Sequence, residues 1–324
     1  MNTTSSAGPR ARGLSASLLT FTATAALLLG TPSAWSQTLY VGSYNNPTVD
    51  KIDSTGAVSL FATLPTGSNP IYGLAFDSGG TLYTTACAYA NQNNNMINKI
   101  TPGGAVSTFL ALPYGSNPLG LAFDGSGNLY VAINGNPTNN TIDKITPAGA
   151  VSTFATLGSS YNPVGLAFDT GGNLYVSGNN GNYSNSTIDK IAPGGAVSTF
   201  AHMPGSSGPG GLAFDSSGNL FVADAFDLVR KITPGGTVST FATLSTSAIG
   251  MAIDGNNNLY VSEQTAGQII QITPAGAMST FATGLSQPDL LVLAPTPEPG
   301  SATLAVLGGL GLLLRRRRER VVRA

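Results

Sequence analysis

The sequence predicts an all-β fold, a six-bladed β-propeller, for residues 37–294. Three observations support this. A sequence repeat runs through the whole segment, each repeat holds signals for four short strands, and the two ends of the segment carry complementary parts of one repeat. A period of this length with several strands per unit is typical of propeller blades.

The repeat consists of three short elements that recur in the same order. The element "GLAFD" begins at Gly73, Gly120, Gly165 and Gly211, with "GMAID" at Gly250, so its spacing is 39–47 residues. The element "NLYV" begins at Asn128, Asn173 and Asn258, with variants elsewhere. Copies of "KITPGGAVSTFL" begin at Lys51, Lys99, Lys144, Lys190, Lys231 and, as "QITPAGAMSTFA", at Gln271.

Each repeat is predicted to form four antiparallel strands. The Leu-Ala-Phe run is the first, "LYV" the second, the segment through Lys-Ile the third, and "AVSTFA" the fourth. Asp77 and its equivalents begin the turn after the first strand, because an Asp side chain can bond the backbone ahead of it. Pro and Gly in "TPGG" favour the turn after the third strand.

The ends of the segment predict how the ring closes. The N-terminal copy has only the last three strands, from Leu39 to Ala62. The missing first strand is found in "QPDLLVLA", Gln287 to Ala294, which aligns with "NPIYGLAF" before Asp77. One C-terminal strand and three N-terminal strands would therefore complete the sixth blade and remove the open edges of an unclosed ring.

The sequence of the repeat resembles that of the NHL family of propellers. The segment "GLAFDSSGNLFVAD", Gly211 to Asp224, followed by "VRKITPGG", Val229 to Gly236, carries the resemblance. This resemblance implies a propeller fold for the whole of residues 37–294. It does not imply one function, because this architecture hosts enzymes, scaffolds and binding modules.

Residues 1–36 are predicted to be a signal peptide. Arg10 and Arg12 precede an apolar segment from Leu14 to Leu29, and Ala34-Trp35-Ser36 offers small residues at the two positions that a signal peptidase reads. The mature chain would then begin at Gln37. We therefore expect the protein to be exported.

Residues 295–324 are predicted to be a sorting tail in three parts. Pro297, Glu298 and Pro299 come first, an apolar span follows at 302–314, and the cluster Arg315, Arg316, Arg317 and Arg318 comes last. As a helix the span would be about 20 Å long, so it would be a short transmembrane helix whose arginines stay cytoplasmic. A plain C-terminal anchor is the alternative.

This order resembles the PEP-CTERM sorting signal of Gram-negative bacteria. The resemblance covers residues 297 to about 320. It implies a processing enzyme of the exosortase type as a partner, a location at the cell surface or outside the cell, and a membrane anchor that lasts at least until processing. It also implies an association with exopolysaccharide and other matrix components.

The charge and cysteine content of the body exclude several functions. Residues 37–294 hold thirteen acidic and six basic residues, a formal charge of −7. An acidic body repels phosphate backbones, so nucleic acid is not expected as a partner. The single cysteine, Cys87, can form neither an internal disulfide nor a cysteine-based metal site.

The loops predict one face as the binding face. The turns after first and third strands are short, whereas the loops after second and fourth strands are long and variable, except in the fifth and sixth repeats, where they are short. These loops lie together on the opposite face, here called the long-loop face. This face is rich in Asn and in tyrosines outside the second strands, which are Tyr44, Tyr72, Tyr89, Tyr114, Tyr161 and Tyr183. Aromatic planes beside amide groups suit neutral carbohydrates, although Tyr and Asn are also common in loops for conformational reasons.

Two enzymatic alternatives follow from resemblance to other propellers. Streptogramin-lyase-like propellers use histidines, whereas this body has one, His202. Lactonase-like propellers hold a divalent metal on the axis with Glu, Asp and Asn ligands. Asp224 and Glu263 end second strands, and Asn134 and Asn179 stand close to the equivalent places, so these four could hold Ca²⁺.

The sequence therefore predicts an exported propeller that acts as a non-enzymatic binding or scaffold protein, with exopolysaccharide as a candidate ligand and no catalytic residue assigned. A metal-dependent lactonase-type hydrolase is the alternative, with Ca²⁺ as its cofactor. A matrix protein with no specific ligand is the third hypothesis.

Overall fold

The computed structural model describes residues 37–65, 70–86, 95–135, 140–158, 161–179, 181 and 183–295. Within them, twenty-four strands form six four-stranded antiparallel sheets, which are the six blades of a propeller. The predicted fold class and blade count are confirmed.

The strands fall into four groups by their place in a blade. The inner strands are β4 (Ile71–Phe76), β8 (Pro118–Phe123), β12 (Asn162–Phe168), β16 (Pro209–Phe214), β20 (Ala248–Ile253) and β24 (Pro288–Leu293). The second strands are β1 (Leu39–Ser43), β5 (Leu82–Ala86), β9 (Leu129–Asn134), β13 (Leu174–Asn179), β17 (Leu220–Asp224) and β21 (Leu259–Glu263). The third strands are β2 (Thr48–Ile52), β6 (Met96–Ile100), β10 (Asn140–Ile145), β14 (Thr187–Ile191), β18 (Leu228–Ile232) and β22 (Gln268–Ile272). The outer strands are β3 (Val58–Thr63), β7 (Val106–Ala111), β11 (Val151–Thr156), β15 (Val197–His202), β19 (Val238–Thr243) and β23 (Met278–Thr283).

The strand that closes the ring is the one that the sequence predicts, but the predicted alignment is wrong by one residue. Leu293 lies opposite Leu39 as Phe76 lies opposite Leu82, so Leu293 and not Ala294 is the equivalent of Phe76. One sheet has the order β24-β1-β2-β3, with Leu39 opposite Leu293 and Val41 opposite Leu291. The inner strands of successive blades contact one another around the whole ring, from β4 to β24 and back to β4. Residues 37–295 thus contain every strand of a closed ring, so this segment is a self-contained folding unit.

The turns after the inner strands are built on the repeated Asp. The Oδ1 atom of Asp124 accepts hydrogen bonds from the backbone N–H groups of Ser126 and Asn128 at 2.9 and 2.8 Å. The same pattern recurs at Asp77, Asp169, Asp215 and Asp254. The structural role predicted for this Asp is confirmed.

Aromatic side chains join each blade to the next. Blades are numbered along the chain, so that blade 1 holds β24, β1, β2 and β3, blade 2 holds β4 to β7, and blade 6 holds β20 to β23. In blade 3, the ring of Tyr130 on β9 packs edge-on against Phe154 of its own outer strand, with 4.9 Å between ring centroids. It also packs against Phe168 of the following inner strand at 5.1 Å. Tyr40, Tyr83 and Tyr175 make the same pair of contacts. The tyrosines inside second strands are therefore part of the core between blades.

The middle of the propeller axis is lined by apolar side chains and by backbone atoms. A cavity of about 50 Å³ there is lined by side chains of Leu and Met and by glycines, contributed by all six inner strands. The ring of side chains is Leu74, Leu121, Leu166, Leu212, Met251 and Leu291. At this level the axis presents no side-chain oxygen to a metal.

The predicted signal peptide, the apolar span at 302–314, and Pro297, Glu298, Pro299 and Arg315 to Arg318 all lie outside the described residues. Within the described ranges, no helix is long and apolar enough to cross a membrane.

Candidate functional site

Two aromatic pairs lie on the long-loop face, each across the boundary between neighbouring blades. Tyr44 and Tyr72 connect blade 1 with blade 2, with ring centroids 6.0 Å apart and ring planes at 79°. Tyr183 and Phe226 connect blade 4 with blade 5, with centroids 5.9 Å apart and planes at 81°. Edge-on packing of this kind fixes the rings relative to each other and leaves part of each ring in solvent.

The first pair is held by the strand that closes the ring. The backbone N–H of Tyr44 donates to the carbonyl oxygen of Gln287 at 3.0 Å. The hydroxyl of Ser43 donates to the carbonyl of Ser286 at 2.7 Å, and the Asn46 side chain donates to the Ser286 hydroxyl at 3.0 Å. Closure of the ring and position of the Tyr44 ring are therefore coupled.

The second pair is more exposed. Tyr183 is 44% exposed and Phe226 is 47% exposed, on loops that follow the second strands β13 and β17. Tyr183 adopts a left-handed backbone conformation with φ of 60°, and its carbonyl accepts from the Ser207 N–H at 2.9 Å. The sequence does not predict Phe226 as a site residue, because it lies in a short loop and its aromatic partner, Tyr183, belongs to the neighbouring blade.

Asp224 holds the loops that carry this second pair. Its side chain is fully buried and accepts hydrogen bonds from the Ser207 hydroxyl at 2.8 Å and the Gly208 N–H at 2.9 Å. The Phe226 N–H donates to the same carboxylate at 3.3 Å, and the Arg230 guanidinium lies 3.4 Å away. The predicted metal ligand is thus surrounded by donors of the protein, and a metal would have to replace them.

Glu263 has the same arrangement in the next blade. Its carboxylate accepts from the N–H and hydroxyl of Ser245 at 2.7 and 2.8 Å, from the Thr246 N–H at 3.0 Å, and from the Gln268 amide. Burial raises the pKa of Glu263, but these hydrogen bonds outweigh burial and bring its pKa below the ordinary value. The residue is ionised at neutral pH and orders the loop between β19 and β20.

The hydrogen bonds of the two predicted asparagine ligands differ, since that of Asn134 involves its backbone and those of Asn179 involve its side chain. The Asn134 N–H donates to the carbonyl of Asn117 at 3.1 Å. The side-chain oxygen of Asn179 accepts from the Gly181 N–H at 2.9 Å and from the Asn162 amide at 3.4 Å. The described part of the chain holds no group of three or more His, Cys, Asp or Glu side chains placed to bind a metal ion.

Tyr161 lies against the end of its own blade. Its hydroxyl donates to the carbonyl of Val176 at 2.8 Å. Burial, and then the charge of Asp189, raise its pKa well above the ordinary value. A Cβ at Gly178 would lie 2.2 Å from the ring, so the ring occupies the space that this glycine leaves. A glycine where other blades have larger residues is the sequence signal for this packing.

The other predicted tyrosines differ in their surroundings. Tyr114 is 73% exposed at the tip of the loop between β7 and β8, next to Gly115 with φ of 78°. Its loop is closed by the Ser116 hydroxyl, which donates to the Pro113 carbonyl at 2.7 Å. Tyr89 and Cys87 lie outside the described residues. His202 is exposed at the end of β15.

The role of Asp224 predicts a large response to a small change. Asp224→Asn removes the charge beside Arg230 and gives the buried donors an NH₂ group in place of an acceptor. We expect the free energy of unfolding to fall by about 3 kcal/mol. Hydrogen exchange should become faster in 183–186, 206–208 and 225–227. Asp227→Asn is the control, because the loop uses the Asp227 carbonyl, to which Leu244 N–H donates. Equal effects of both variants would contradict this role.

Comparison with known proteins gives the fold alone. No protein-family model and no curated protein sequence matches the chain. A chain of a nidogen/laminin complex is similar, with a TM-score of 0.67 and 20% identity over 81% of this chain and 99% of that chain. Virginiamycin B lyase from Staphylococcus aureus has a TM-score of 0.56 and 20% identity, covering 70% of this chain and 75% of that one. Regucalcin from Agrobacterium tumefaciens, a calcium-binding protein, has a TM-score of 0.57 and 15% identity, covering 73% and 85%.

Proposed function

We propose that the protein is an exported, non-enzymatic binding protein of the cell surface or extracellular matrix, and that it binds neutral polysaccharide on the long-loop face. The observation that carries this proposal is the presence of two aromatic pairs on that face, Tyr44 with Tyr72 and Tyr183 with Phe226. Export and sorting are supported by the sequence of the two ends, with an exosortase-type enzyme as the processing partner.

The chemistry of the face suits sugar rings without charge. An aromatic ring offers an apolar plane to the C–H face of a sugar, and Tyr hydroxyl and Asn amide groups can bond its hydroxyls. The formal charge of −7 on residues 37–294 disfavours anionic polymers. Among exopolysaccharides, neutral ones are therefore the expected ligand class.

The buried acids support binding rather than catalysis. The carboxylates of Asp224 and Glu263 each accept several hydrogen bonds from loop donors. In this arrangement they order loops, which is what a preformed binding surface requires. The similar structures include a lyase, a calcium-binding protein and a chain of a protein complex, so the fold permits either kind of function.

The test is a binding titration of residues 37–295 against the exopolysaccharide of the producing organism and against a glycan array, with and without Ca²⁺. The double variant Tyr183→Ala, Phe226→Ala should bind at least about ten-fold more weakly, which corresponds to about 1.4 kcal/mol. Tyr44→Ala should weaken binding as well. Leu60→Ala is the matched control, since Leu60 is an apolar residue, 63% exposed, on the outer strand β3.

Two results would overturn the proposal. Absence of saturable binding under both conditions would leave a matrix protein without a specific glycan ligand. Turnover of a lactone that requires Ca²⁺ and is lost in Asp224→Asn and Glu263→Gln would instead establish the metal-dependent hydrolase. Ca²⁺-dependent thermal stabilisation would accompany that second result.

A further inference from the structure

Both ends of the folded segment lie on the same face of the propeller. This face is opposite the long-loop face and carries the turns that follow the inner strands and the third strands, and we call it the short-turn face. Inner strands end on it and second strands begin on it. The closing strand β24 therefore ends there with Leu293, and β1 begins there with Leu39, directly opposite.

The two ends stand where the other blades have a turn. In blade 2 the N–H of Asp77, directly after β4, donates to the carbonyl oxygen of Thr81, directly before β5, at 3.0 Å. In blade 1 the N–H of Ala294, directly after β24, donates to the carbonyl oxygen of Thr38, directly before β1, at 2.9 Å. The hydrogen bond that closes the turn is thus kept although no turn joins the two strands. The chain leaves the blade at Pro295, which is exposed.

The N-terminal end is also held by its side chain. The amide nitrogen of Gln37 donates to Oδ2 of Asp254 at 2.6 Å, and its amide oxygen accepts from the hydroxyl of Tyr260 at 2.6 Å. Asp254 begins the turn after β20, which belongs to the short-turn face. Contacts of the body therefore fix both ends at this face, and the segment that connects the body to the predicted apolar span starts at residue 295.

We propose that the short-turn face lies against the membrane while the tail anchors the chain, so that its partner is the surface of a lipid bilayer and the long-loop face is presented away from it. The proposal rests on the export and the anchor that the proposed function includes. Only residues 296–301 separate Pro295 from the predicted apolar span at 302–314. From residue 295 to residue 302 a fully extended chain covers at most about 25 Å.

This length excludes the opposite orientation of the body. To bring the long-loop face to the bilayer, the connecting segment would first have to pass from β24 across the three other strands of blade 1 to the rim. That distance is about 14 Å at the usual spacing between strands, and the length of a six-residue strand adds about 20 Å. The path is longer than the segment can reach, so the long-loop face stays away from the membrane.

The shape and charge of the short-turn face suit a bilayer surface. Each of its turns spans five residues, as 77–81 and 146–150 do, whereas loops on the opposite face differ, with three residues at 225–227 and seven at 180–186. Turns of equal length make the short-turn face level, so it can approach a bilayer over its whole area. The charged residues in these turns are Asp residues at the first position, each of which accepts a backbone N–H of its own turn, and they are Asp53, Asp77, Asp124, Asp169, Asp215 and Asp254.

The test compares two cysteines at opposite ends of one strand, in the full-length chain with Cys87→Ser, in spheroplasts of a Gram-negative host that lacks an exosortase. Ala266 and Ala275 are both exposed and flank β22, with Ala266 on the long-loop face and Ala275 on the short-turn face. The rate of reaction with a membrane-impermeant maleimide that carries a polyethylene glycol chain is measured for Ala266→Cys and for Ala275→Cys. We expect the Ala275 variant to react at least about five-fold more slowly than the Ala266 variant. In residues 37–295 without the tail, the two variants should react at similar rates.

A longer connection to the tail is the matched control. Insertion of about forty Gly and Ser residues after Pro295 adds a flexible segment that spans about 35 Å on average, and it should abolish the difference in rate between the two cysteines. Equal rates in the anchored full-length chain, or a difference that remains with the long insertion, would overturn the proposal. A chain that does not sediment with the membranes would overturn it together with the predicted anchor. Glycan binding is measured on residues 37–295, so its failure would leave these rates unchanged and is a separate result.

Discussion

Replacing Gly120 by alanine is expected to lower the free energy of unfolding by about 3 kcal/mol and the melting temperature by about 10 °C. A Cβ at Gly120 on β8 would lie 2.2 Å from the carbonyl oxygen of Val164 on β12. A non-bonded carbon and oxygen atom do not come this close to each other, so the two inner strands would have to move apart. The added Cβ would meet only backbone atoms of the neighbouring strand, so no flexible side chain could move aside to make room for it.

The same close approach recurs around the ring, which explains why the effect is large. A Cβ would lie 2.3 Å from a neighbouring carbonyl at Gly73 and at Gly165, and 2.4 Å from one at Gly250. The inner strands are therefore packed through their glycines, and a shift at one boundary opens the next. At the equivalent position the closing strand carries Leu290, which faces the axis cavity.

Gly125→Ala is the matched control for this prediction. Gly125 lies in an exposed turn of the same blade, has no positive φ, and a Cβ there would meet nothing within 4 Å. Its replacement should change the free energy of unfolding by less than about 0.5 kcal/mol. Thermal unfolding monitored by calorimetry compares the two variants. A Gly120 variant as stable as the control would mean that the blades tolerate separation at the axis.

The fold could be predicted from the sequence because each blade repeats the same pattern of residues at its turns and core positions. Gly120 and its equivalents, the Asp124-type turn and the Tyr130-type aromatic recur at fixed places, so a pattern seen once is tested again in each repeat. The closing strand was predictable from the missing first strand of the N-terminal repeat, but its register was not, because it has Leu290 in place of the repeated Gly and Ala294 in place of the repeated Asp.

The site was predictable only in part, because its contacts join residues that the repeat does not relate. The sequence shows an acid at the end of β17, but not that Ser207 and Gly208 fold back onto Asp224. It also shows Tyr183 in a long loop without showing that Phe226 stands beside it. Such contacts depend on loop conformations that differ from blade to blade, and no repeated pattern reports them.

Asp289 departs from the pattern of the repeat, and of all such departures we expect this one to have the largest effect on stability. It lies on the closing strand β24, where the other inner strands have Tyr72, Leu119, Val164, Gly210 and Ile249. Its side chain is 1% exposed, and its Oδ2 atom has no hydrogen-bond partner among the described residues. Burial raises the pKa of Asp289 to about 7.

This raised pKa predicts how stability changes with pH. In the unfolded chain an Asp has a pKa near 3.9, so between about pH 4 and about pH 7 the folded protein holds a proton that the unfolded chain has lost. The free energy of unfolding should therefore fall as pH rises through that range, by about 4 kcal/mol in total, and then level off. Below about pH 4 other carboxyl groups act in the opposite direction, since Asp124, Asp169 and Glu263 have lowered pKa values.

Two variants separate the contribution of Asp289 from that of other groups. Asp50, Asp143 and Asp189 also have pKa values raised by burial, so some slope should remain without Asp289. Asp289→Asn keeps the shape of the side chain and removes its charge. Asp289→Leu introduces the residue type that Leu119 provides at the equivalent position of β8. Denaturant unfolding from about pH 5 to about pH 8 measures the slope for each chain.

Both variants should be more stable than the unmodified chain at about pH 8, where the buried carboxylate is ionised, and should lose most of the slope. Because Ser262 donates to the backbone carbonyl of Asp289 at 2.7 Å, the contact between blades does not require the carboxyl group. If the Asn variant keeps the full slope, Asp289 is not the group responsible. If both variants are less stable at about pH 8, the carboxylate has a stabilising partner in solution, and ring closure depends on it.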